Sequence, residues 1–423
     1  MNVKTIKKDG YNLHIIKTKK FKKIAIKAIF WNELKKEELS LITLLVDNLL
    51  FSSKEYNTKR KMAIKKADLY NINLNGGSYI NGNQIITEFV LSYIEDKYTE
   101  KGNSEEAIEF FFNCLTKPNI DNNSFDKTSF EITKERLLKA IKKEKESPGY
   151  VSNKGFLKEL NSNEIYSDSV LGNEEDINSI TPEILYNYYI DFFKNNHIDI
   201  FVSGNLSENE ESLILNRLKF FENKKNIPYS NKYITYKKEL TEKIEDSKFN
   251  QSIIKMGASL KNLTKNEINY DLAIYSMILG NGPSSKLFKE IREKNSFAYS
   301  IRSSIISNPG IFEIIGGISF KNFENTKKET LKQIEEMKKG SFTEKDIKSA
   351  KQYILSFLNE VEDSQWQTIN YYFNQLYFDQ NSIQDSIENI KKISKQNIIN
   401  VAKKINIDTI YLLKEDTNEK DKN

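Results

Sequence analysis

The sequence predicts a protein of mixed helices and strands that is built from two related halves. Its 423 residues exceed what one hydrophobic core usually supports, since a domain typically takes about 100 to 200 residues. Helical and strand patterns are mixed along the chain. A weak internal repeat relates the segments 177–203 and 390–413. In both segments, spaced isoleucines precede a helical pattern and an Ile-Asp step into an apolar run.

Seven short apolar runs predict β-strands. They are rich in isoleucine and in other β-branched or aromatic residues, which favour extended backbone, and polar or turn-forming residues bound them. The predicted strands are 13–16, 24–30, 85–92, 198–202, 253–256, 311–320 and 409–413.

Three hydroxyl residues mark helix starts. Thr181 precedes a proline and a glutamate, which is a typical first helical turn. Thr264 and Thr343 are each followed three residues later by an acidic side chain, the spacing of a capping box. The helix after Thr264 is predicted to end at Gly280, because a residue without Cβ can adopt the left-handed conformation that terminates a helix.

A polar stretch near the middle of the chain divides it. Residues 222–246 include Pro228 and show no sustained periodicity, which indicates a connecting segment. We therefore expect an N-terminal domain over 1–225, a linker over 226–246 and a C-terminal domain over 247–423.

The scarcity of histidine and cysteine restricts the chemistry. The chain has two histidines, His14 and His197, and one cysteine, Cys114, so a Cys/His metal cluster is excluded. One cysteine cannot form an internal disulfide, which favours a reducing compartment, and we expect a cytoplasmic location. No uncharged apolar run reaches roughly 18 residues and no signal-peptide core follows the N-terminus, so neither export nor membrane insertion is expected.

The basic residues do not indicate nucleic-acid binding by number alone. Lysine and arginine total 64 against 59 acidic residues, a net charge of +5. The clearest basic cluster, over 17–27, fits a solvated strand end, with a phosphate-binding patch as the alternative. The glycine-rich segment 280–286 lacks the order of a phosphate-binding loop and predicts a turn.

The histidines and the cysteine each have a structural interpretation. His14 and His197 lie in or just before predicted strands, and a catalytic histidine would need a paired nucleophile or an orienting carboxylate. Cys114 lies in an apolar segment and is expected in the core rather than as a reactive thiol.

The segment 287–300, LFKEIREKNSFAYS, contains the most specific motif. Arg292 and Tyr299 lie seven residues apart in a setting that resembles the second domain of the pitrilysin/insulinase family of zinc peptidases, the inverzincins. In that family the pair contacts the substrate, which implies hydrogen-bond donors for the peptide carbonyl oxygen as it becomes an oxyanion. The alternative is a surface arginine on a helix and a packed tyrosine at a strand start.

The first domain departs from the family pattern. The family carries His-x-x-Glu-His on a helix, and the corresponding positions here are 44–48, where Leu44 and Asn48 replace the histidines and Asp47 replaces the glutamate base. The third zinc ligand of the family, a glutamate, should fall near 140–142, where this sequence has none, although Glu144 is close by. The resemblance therefore implies no cofactor in this chain.

The resemblance implies an α+β fold of two clam-like domains, each a mostly antiparallel sheet packed with helices. It further implies the non-catalytic subunit of a heterodimeric peptidase, in which a catalytic partner subunit holds the zinc and Arg292 and Tyr299 act in trans. A peptide substrate would add to a sheet edge near Asn75, Gly76, Gly77 and Ser78, for which an ordinary hairpin approach is the alternative.

Two other functions remain open from the sequence. A scaffold or peptide-binding protein with the same fold and no peptidase role is the main alternative. Nucleic-acid binding through the basic cluster would require steep salt dependence and is not our expectation.

Overall fold

The computed structural model describes residues 3–160, 167–222, 240–307 and 310–416. Within these residues the α+β class is confirmed, because the chain forms two large, mostly antiparallel sheets with helices packed against them. The strands are β1 (Val3–Lys8), β2 (Tyr11–Lys17), β3 (Lys23–Glu33), β4 (Asn73–Asn81), β5 (Gln84–Ile94), β6 (Ile120–Asp121), β7 (Ser124–Phe125), β8 (His197–Gly204), β9 (Thr241–Asp246), β10 (Ser252–Ser259), β11 (Ala298–Ile306), β12 (Ile311–Ile318) and β13 (Thr409–Lys414).

Helices make up most of the remaining described chain. They are α1 (Leu39–Phe51), α2 (Lys59–Asp68), α3 (Asn103–Thr116), α4 (Lys127–Lys145), α5 (Pro148–Leu160), α6 (Glu174–Ser179), α7 (Pro182–Asn195), α8 (Glu208–Leu218), α9 (Leu272–Gly280), α10 (Phe323–Lys338), α11 (Glu344–Glu360), α12 (Gln365–Tyr377), α13 (Ile383–Lys392) and α14 (Lys395–Lys404). Two π-helical turns, Glu267–Asp271 and Phe288–Lys294, lie before and after α9.

The described residues divide into two compact units. The first unit contains 3–143, 168–222 and 363–372, and the second contains 144–160, 167, 240–307, 310–362 and 373–416. The units interleave along the chain, because α5 belongs to the second unit and the first part of α12 belongs to the first. Each predicted domain, 1–225 and 247–423, is one continuous segment, whereas each observed unit combines several segments of the chain.

The two sheets share one topology. The first has the order β1-β2-β8-β3-β5-β4, and the second, taken from its other edge, has the order β9-β13-β10-β12-β11. In each sheet one pair is parallel, β2 with β8 and β13 with β9, while the other neighbours are antiparallel. The repeated segments in the sequence correspond to α7 with β8 and to α14 with β13, so the predicted relationship between the halves is confirmed.

A buried lysine is duplicated between the units at equivalent places. In the first unit Lys27 Nζ lies 2.7 Å from a Glu88 carboxylate oxygen and donates to Asn370 Oδ1 at 2.7 Å. In the second unit Lys255 Nζ lies 3.1 Å from Glu313. Its other bond, at 2.6 Å, goes to the side chain of Asn153 on α5. Neither partnership was visible in the sequence, because each joins residues that are distant along the chain.

The core of the first unit lies between one face of its sheet and helices α1, α3 and α7. Alternate strand residues and one face of each helix supply its buried apolar side chains. These side chains include Leu13, Ile26, Phe30 and Ile200 of the strands and Leu45, Phe111 and Leu185 of the helices. Burial of such side chains supplies the main stabilisation of the unit.

Helix α5 covers one face of the second sheet, and glycine allows its close approach. Phe156 and Leu160 of α5 form a cluster with Tyr411 and other buried residues of the sheet. A Cβ on Gly155 would lie 2.2 Å from the Tyr411 hydroxyl oxygen, so a larger residue would displace the helix.

All seven predicted strands correspond to strands of the structure, and the predicted caps at Thr181 and Thr343 accept backbone N–H bonds as expected. The predicted end of the helix at Gly280 has a different cause. Gly280 is the last helical residue, the positive φ occurs at Gly282, and a Cβ on Gly280 would lie 2.7 Å from the Ser303 backbone nitrogen. Close packing, rather than a left-handed cap, therefore requires this glycine.

The predicted linker is wrong at its C-terminal end. Residues 226–239 lie outside the described residues, but Thr241–Asp246 forms β9, an edge strand paired in parallel with β13. The strand is almost entirely exposed and polar, so it lacks the apolar run that reveals a central strand.

The basic cluster is partly neutralised. Lys27 is buried in its ion pair, Lys17 lies 3.9 Å from Glu211, and Lys20 pairs with Asp363.

Cys114 is buried as expected, and burial raises the pKa of its thiol to about 12. Among the described residues, every helix is too short or too polar to cross a membrane.

Candidate functional site

Tyr299 lies in a β-bulge at the start of the edge strand β11. The residues before and after it pair with Ile318 and Gly317 of β12, so Tyr299 is the extra residue of the bulge. A bulge turns a side chain away from the regular alternation of the strand. The Tyr299 side chain is 61% exposed, and its hydroxyl lies 2.9 Å from the Ser319 hydroxyl. The alternative expectation of a packed tyrosine is wrong.

Arg292 lies in the π-helical turn Phe288–Lys294 and is exposed. Turns of this kind occur frequently at functional sites. The guanidinium carbon lies 4.9 Å from the centroid of the Phe288 ring, a cation–π contact that limits the motion of the side chain. Within the described chain, no hydrogen bond or ion pair engages this guanidinium, so its donors are available to a ligand.

A cavity of about 330 Å³ opens beside Tyr299, and we call it the Tyr299 cavity. Two short segments line it, one leading into β11 and one following β12. The lining residues are Asn295, Ser296, Phe297, Ala298, Tyr299, Ser319, Lys321 and Asn322. Arg292 is not among them, so the structure joins Tyr299 to the cavity but does not bring the two predicted residues into direct contact.

The segment expected to bind the substrate backbone is part of β4, an edge strand of the first sheet. Asn75 to Ser78 pair with β5 on one side, and no strand of the described chain pairs with the outer edge of β4. A Cβ on Gly76 would lie 2.9 Å from Leu50 and 3.0 Å from the Glu88 carbonyl oxygen, while one on Gly77 would meet nothing within 4 Å. Ser78 is fixed by a 2.9 Å contact with the Thr87 hydroxyl. The segment is thus one strand of the β4–β5 hairpin, which agrees with the alternative, and its substrate contact stays a prediction.

The positions of the lost zinc motif lie on α1 and do not supply the ligands of a zinc site. Leu44 is fully buried in the apolar core and has no ligand atom. Asn48 is also buried, and its amide nitrogen donates to the Leu44 carbonyl at 2.8 Å and to the Thr133 hydroxyl at 2.7 Å. The Asn48 Oδ1 is buried without a hydrogen-bond partner, but a single amide oxygen does not replace the two imidazoles of the motif, so these residues do not fit a zinc ion.

The helix that should carry the third ligand presents a different residue. Thr133 of α4 meets Asn48, whereas positions 140–142 and Glu144 lie farther along the same helix. Asp47 beside Asn48 is largely buried, and burial raises the pKa of its carboxyl, an effect that the charge of Arg136 partly opposes. Throughout the described parts of the chain, no group of three histidine, cysteine, aspartate or glutamate side chains could hold a metal ion.

Both histidines bind one buried carboxylate, which the sequence did not reveal. His14 Nε2 lies 3.1 Å from Asp199 Oδ1, and His197 Nε2 lies 3.1 Å from Oδ2. Trp31 Nε1 and Asn12 Nδ2 each donate to the same carboxylate at 3.1 Å. Burial alone would raise the pKa of Asp199, but the hydrogen bonds from the histidines outweigh it and hold this pKa well below its usual range. Asp199 could orient a catalytic histidine, but His14 and His197 are themselves buried, which supports their structural interpretation.

Comparisons with known proteins agree with this geometry. The family model "Peptidase M16 inactive domain" matches residues 179–354. The chain is 26% identical over 412 residues to the "Probable inactive metalloprotease YmfF" of Bacillus subtilis, covering 96% of both chains. It is 23% identical over 231 residues to the "Uncharacterized zinc protease YmxG" of the same organism, covering 54% of this chain and 56% of that one.

Solved structures share the fold. A conserved protein from Enterococcus faecalis V583 superposes with a TM-score of 0.88 at 24% identity, and a peptidase M16 inactive domain from Pseudomonas fluorescens with a TM-score of 0.80 at 17% identity. Each comparison covers 99% of both chains. Fold and site together define a two-domain peptidase homologue, and its described residues form no metal centre. The chain is similar to inactive members of the pitrilysin/insulinase family, peptidase M16, over residues 179–354 in the family model and over nearly its whole length in the relative from Bacillus subtilis.

Proposed function

We propose that this chain is the non-catalytic, substrate-binding subunit of a heterodimeric zinc peptidase that acts on peptides. One contrast carries the proposal. The positions of the zinc motif are closed by buried packing between Leu44, Asn48 and Thr133, whereas Tyr299 is exposed on a bulge beside an open cavity. The position of Tyr299 beside this cavity supports a retained contact with substrate.

In the proposed reaction, Arg292 and Tyr299 act on the carbonyl group of the scissile peptide bond. A partner subunit with His-x-x-Glu-His would hold the zinc, and the metal would supply activation of the nucleophile there. As the carbonyl oxygen gains negative charge, the guanidinium and the phenol hydroxyl donate hydrogen bonds to it, which lowers the energy of the transition state more than that of the bound substrate. Ser319 holds the Tyr299 hydroxyl, and Phe288 holds the guanidinium.

The open edge of β4 supports binding of the peptide in extended form. Backbone groups on an unpaired strand edge can accept another strand with little regard to its side chains. Gly77 adds no side chain that would obstruct such a strand, since a Cβ there meets nothing within 4 Å. Asn75, Gly76, Gly77 and Ser78 are the residues proposed for this contact.

The proposed location is the cytoplasm. The single cysteine supports it, because Cys114 is buried in the core of the first unit and has no second cysteine with which to pair. Immunoblotting of cell fractions checks this location.

Substitution of the pair tests the proposed role. The chain is mixed with a partner that carries His-x-x-Glu-His, and peptide turnover is measured for wild type, Arg292→Ala and Tyr299→Phe. Loss of an oxyanion donor is expected to lower turnover by roughly ten to a thousandfold. Arg60→Ala and Tyr353→Phe are matched controls, since both side chains are exposed and lie outside the proposed site. Wild-type turnover in the Arg292→Ala/Tyr299→Phe double variant would favour the scaffold alternative instead.

A further inference from the structure

The residues that line the Tyr299 cavity have a net positive charge. Lys321 lines it, and none of its eight lining residues, all of which belong to the described chain, is acidic. Lys321 is exposed and takes part in no ion pair or hydrogen bond among the described residues. An ammonium group at a cavity mouth with no counter-charge in the lining attracts an anionic group of a ligand.

The hydroxyl groups in the same cavity leave the selection of an anion to Lys321. The Tyr299 and Ser319 hydroxyls are 2.9 Å apart, and when the Ser319 hydroxyl donates to the Tyr299 oxygen, the Tyr299 O–H remains for the scissile carbonyl. The wall is braced, because the Asn322 amide donates to the Phe297 carbonyl at 3.2 Å. A volume of about 330 Å³ accommodates a single side chain or a chain terminus rather than a longer segment.

A second cavity in the same unit lacks this property. It is larger, about 740 Å³, and lies between the loop after α9 and the start of α11. Its lysines are balanced by Glu290 and Asp346 in the lining, and Lys286 donates to the Ser341 carbonyl at 2.9 Å. Charge therefore favours the Tyr299 cavity as the site for an anionic group.

We propose that the Tyr299 cavity is a subsite for a carboxylate of the bound peptide, with Lys321 as the specificity-determining residue. The carboxylate comes from an aspartate or glutamate side chain or from the C-terminus of the peptide. This inference rests on the proposed function, and it adds a preference for acidic groups near the bond that Tyr299 contacts.

Peptide binding to the full chain, measured by fluorescence anisotropy at low salt, tests the subsite. Four labelled peptides share one sequence and carry Glu or Gln at a central position, with a free or an amidated C-terminus. Wild type is expected to bind at least one carboxylate-bearing peptide about fivefold more tightly than the peptide with neither group, as for a partly exposed ion pair. The peptide that shows the preference identifies the source of the carboxylate.

Lys321→Met is expected to abolish this preference, whereas Lys328→Met, an exposed lysine of α10 outside the cavity, retains it. Equal wild-type affinity for all four peptides, or a preference that survives Lys321→Met, would overturn the subsite while leaving the proposed function intact. Absence of binding to any of the four peptides would overturn both.

Discussion

Asp199 illustrates how single residues determine the interior of the first unit. The carboxylate is fully buried on β8, and its donors come from β2, β3 and β8 itself. A buried charge is tolerated only when hydrogen bonds replace its hydration, and here four donors do so. Both histidines of the chain are thereby committed to structure, which leaves neither as a general base.

Asp199→Asn is expected to lower the free energy of unfolding at pH 7 by about 2 to 4 kcal/mol, because the amide group of asparagine faces donors that have lost their acceptor. The folded-state pKa of Asp199 lies below its unfolded value, so this stabilisation is complete above the unfolded pKa, about 4, and is lost as the pH falls further. Urea unfolding of wild type and Asp199→Asn at pH 7 and at pH 3 measures the difference in unfolding free energy at each pH.

Asp9→Asn is the control for this experiment, because Asp9 is exposed in the turn between β1 and β2. The control is expected to unfold like wild type at pH 7. A deficit for Asp199→Asn that is equally large at pH 3 and pH 7 would contradict the assignment of an ionised, hydrogen-bonded carboxylate.

At the scale of elements, the duplicated lysines fix a helix against a sheet in each unit. Lys255 on β10 reaches Glu313 on β12 and Asn153 on α5, and its pKa is lowered by burial even though Glu313 acts in the opposite direction. Replacing a buried pair with apolar residues is often tolerated, whereas removing one partner leaves a buried charge without compensation. The pair is therefore expected to specify the register of β10, β12 and α5 more than to add stability.

A double-mutant cycle tests this interpretation. Lys255→Met is expected to reduce the free energy of unfolding by about 3 to 5 kcal/mol, and Lys255→Met combined with Glu313→Leu is expected to recover most of that loss. Urea unfolding of the two single variants and the double variant supplies the coupling energy. If the loss of unfolding free energy in the double variant equals the sum of the losses in the two single variants, the two charges are not coupled.

The strands also show how far the sequence predicts the fold. Central strands such as β3 and β8 are buried along nearly their whole length and rich in apolar residues, and the predicted ends lie within three residues of the observed ones. The edge strands β4 and β9 were missed because they are largely polar and exposed, so neither hydrophobicity nor strict alternation distinguishes them from loops.

For the whole molecule, the sequence predicts the repeated helix–strand segments but not the contacts between residues that are distant in the chain. The local sequence pattern predicts the helix–strand pairs α7 with β8 and α14 with β13, because the residues that define each pair lie within one short segment. Contacts such as Asn48 with Thr133, or His14 and His197 with Asp199, join residues far apart in the chain, and periodicity has no information about them. Tyr299 was predicted from its motif, but the bulge that exposes it and the cavity beside it required the structure.

The central claim is that two chains share one active site, so a titration tests it most directly. Increasing amounts of this chain are added to a fixed amount of the His-x-x-Glu-His partner, and cleavage of a peptide is followed. Turnover is expected to rise from background to a plateau at one equivalent of chain, because each zinc site requires one Arg292 and Tyr299 pair. A partner that cleaves the peptide equally fast without this chain would contradict the claim.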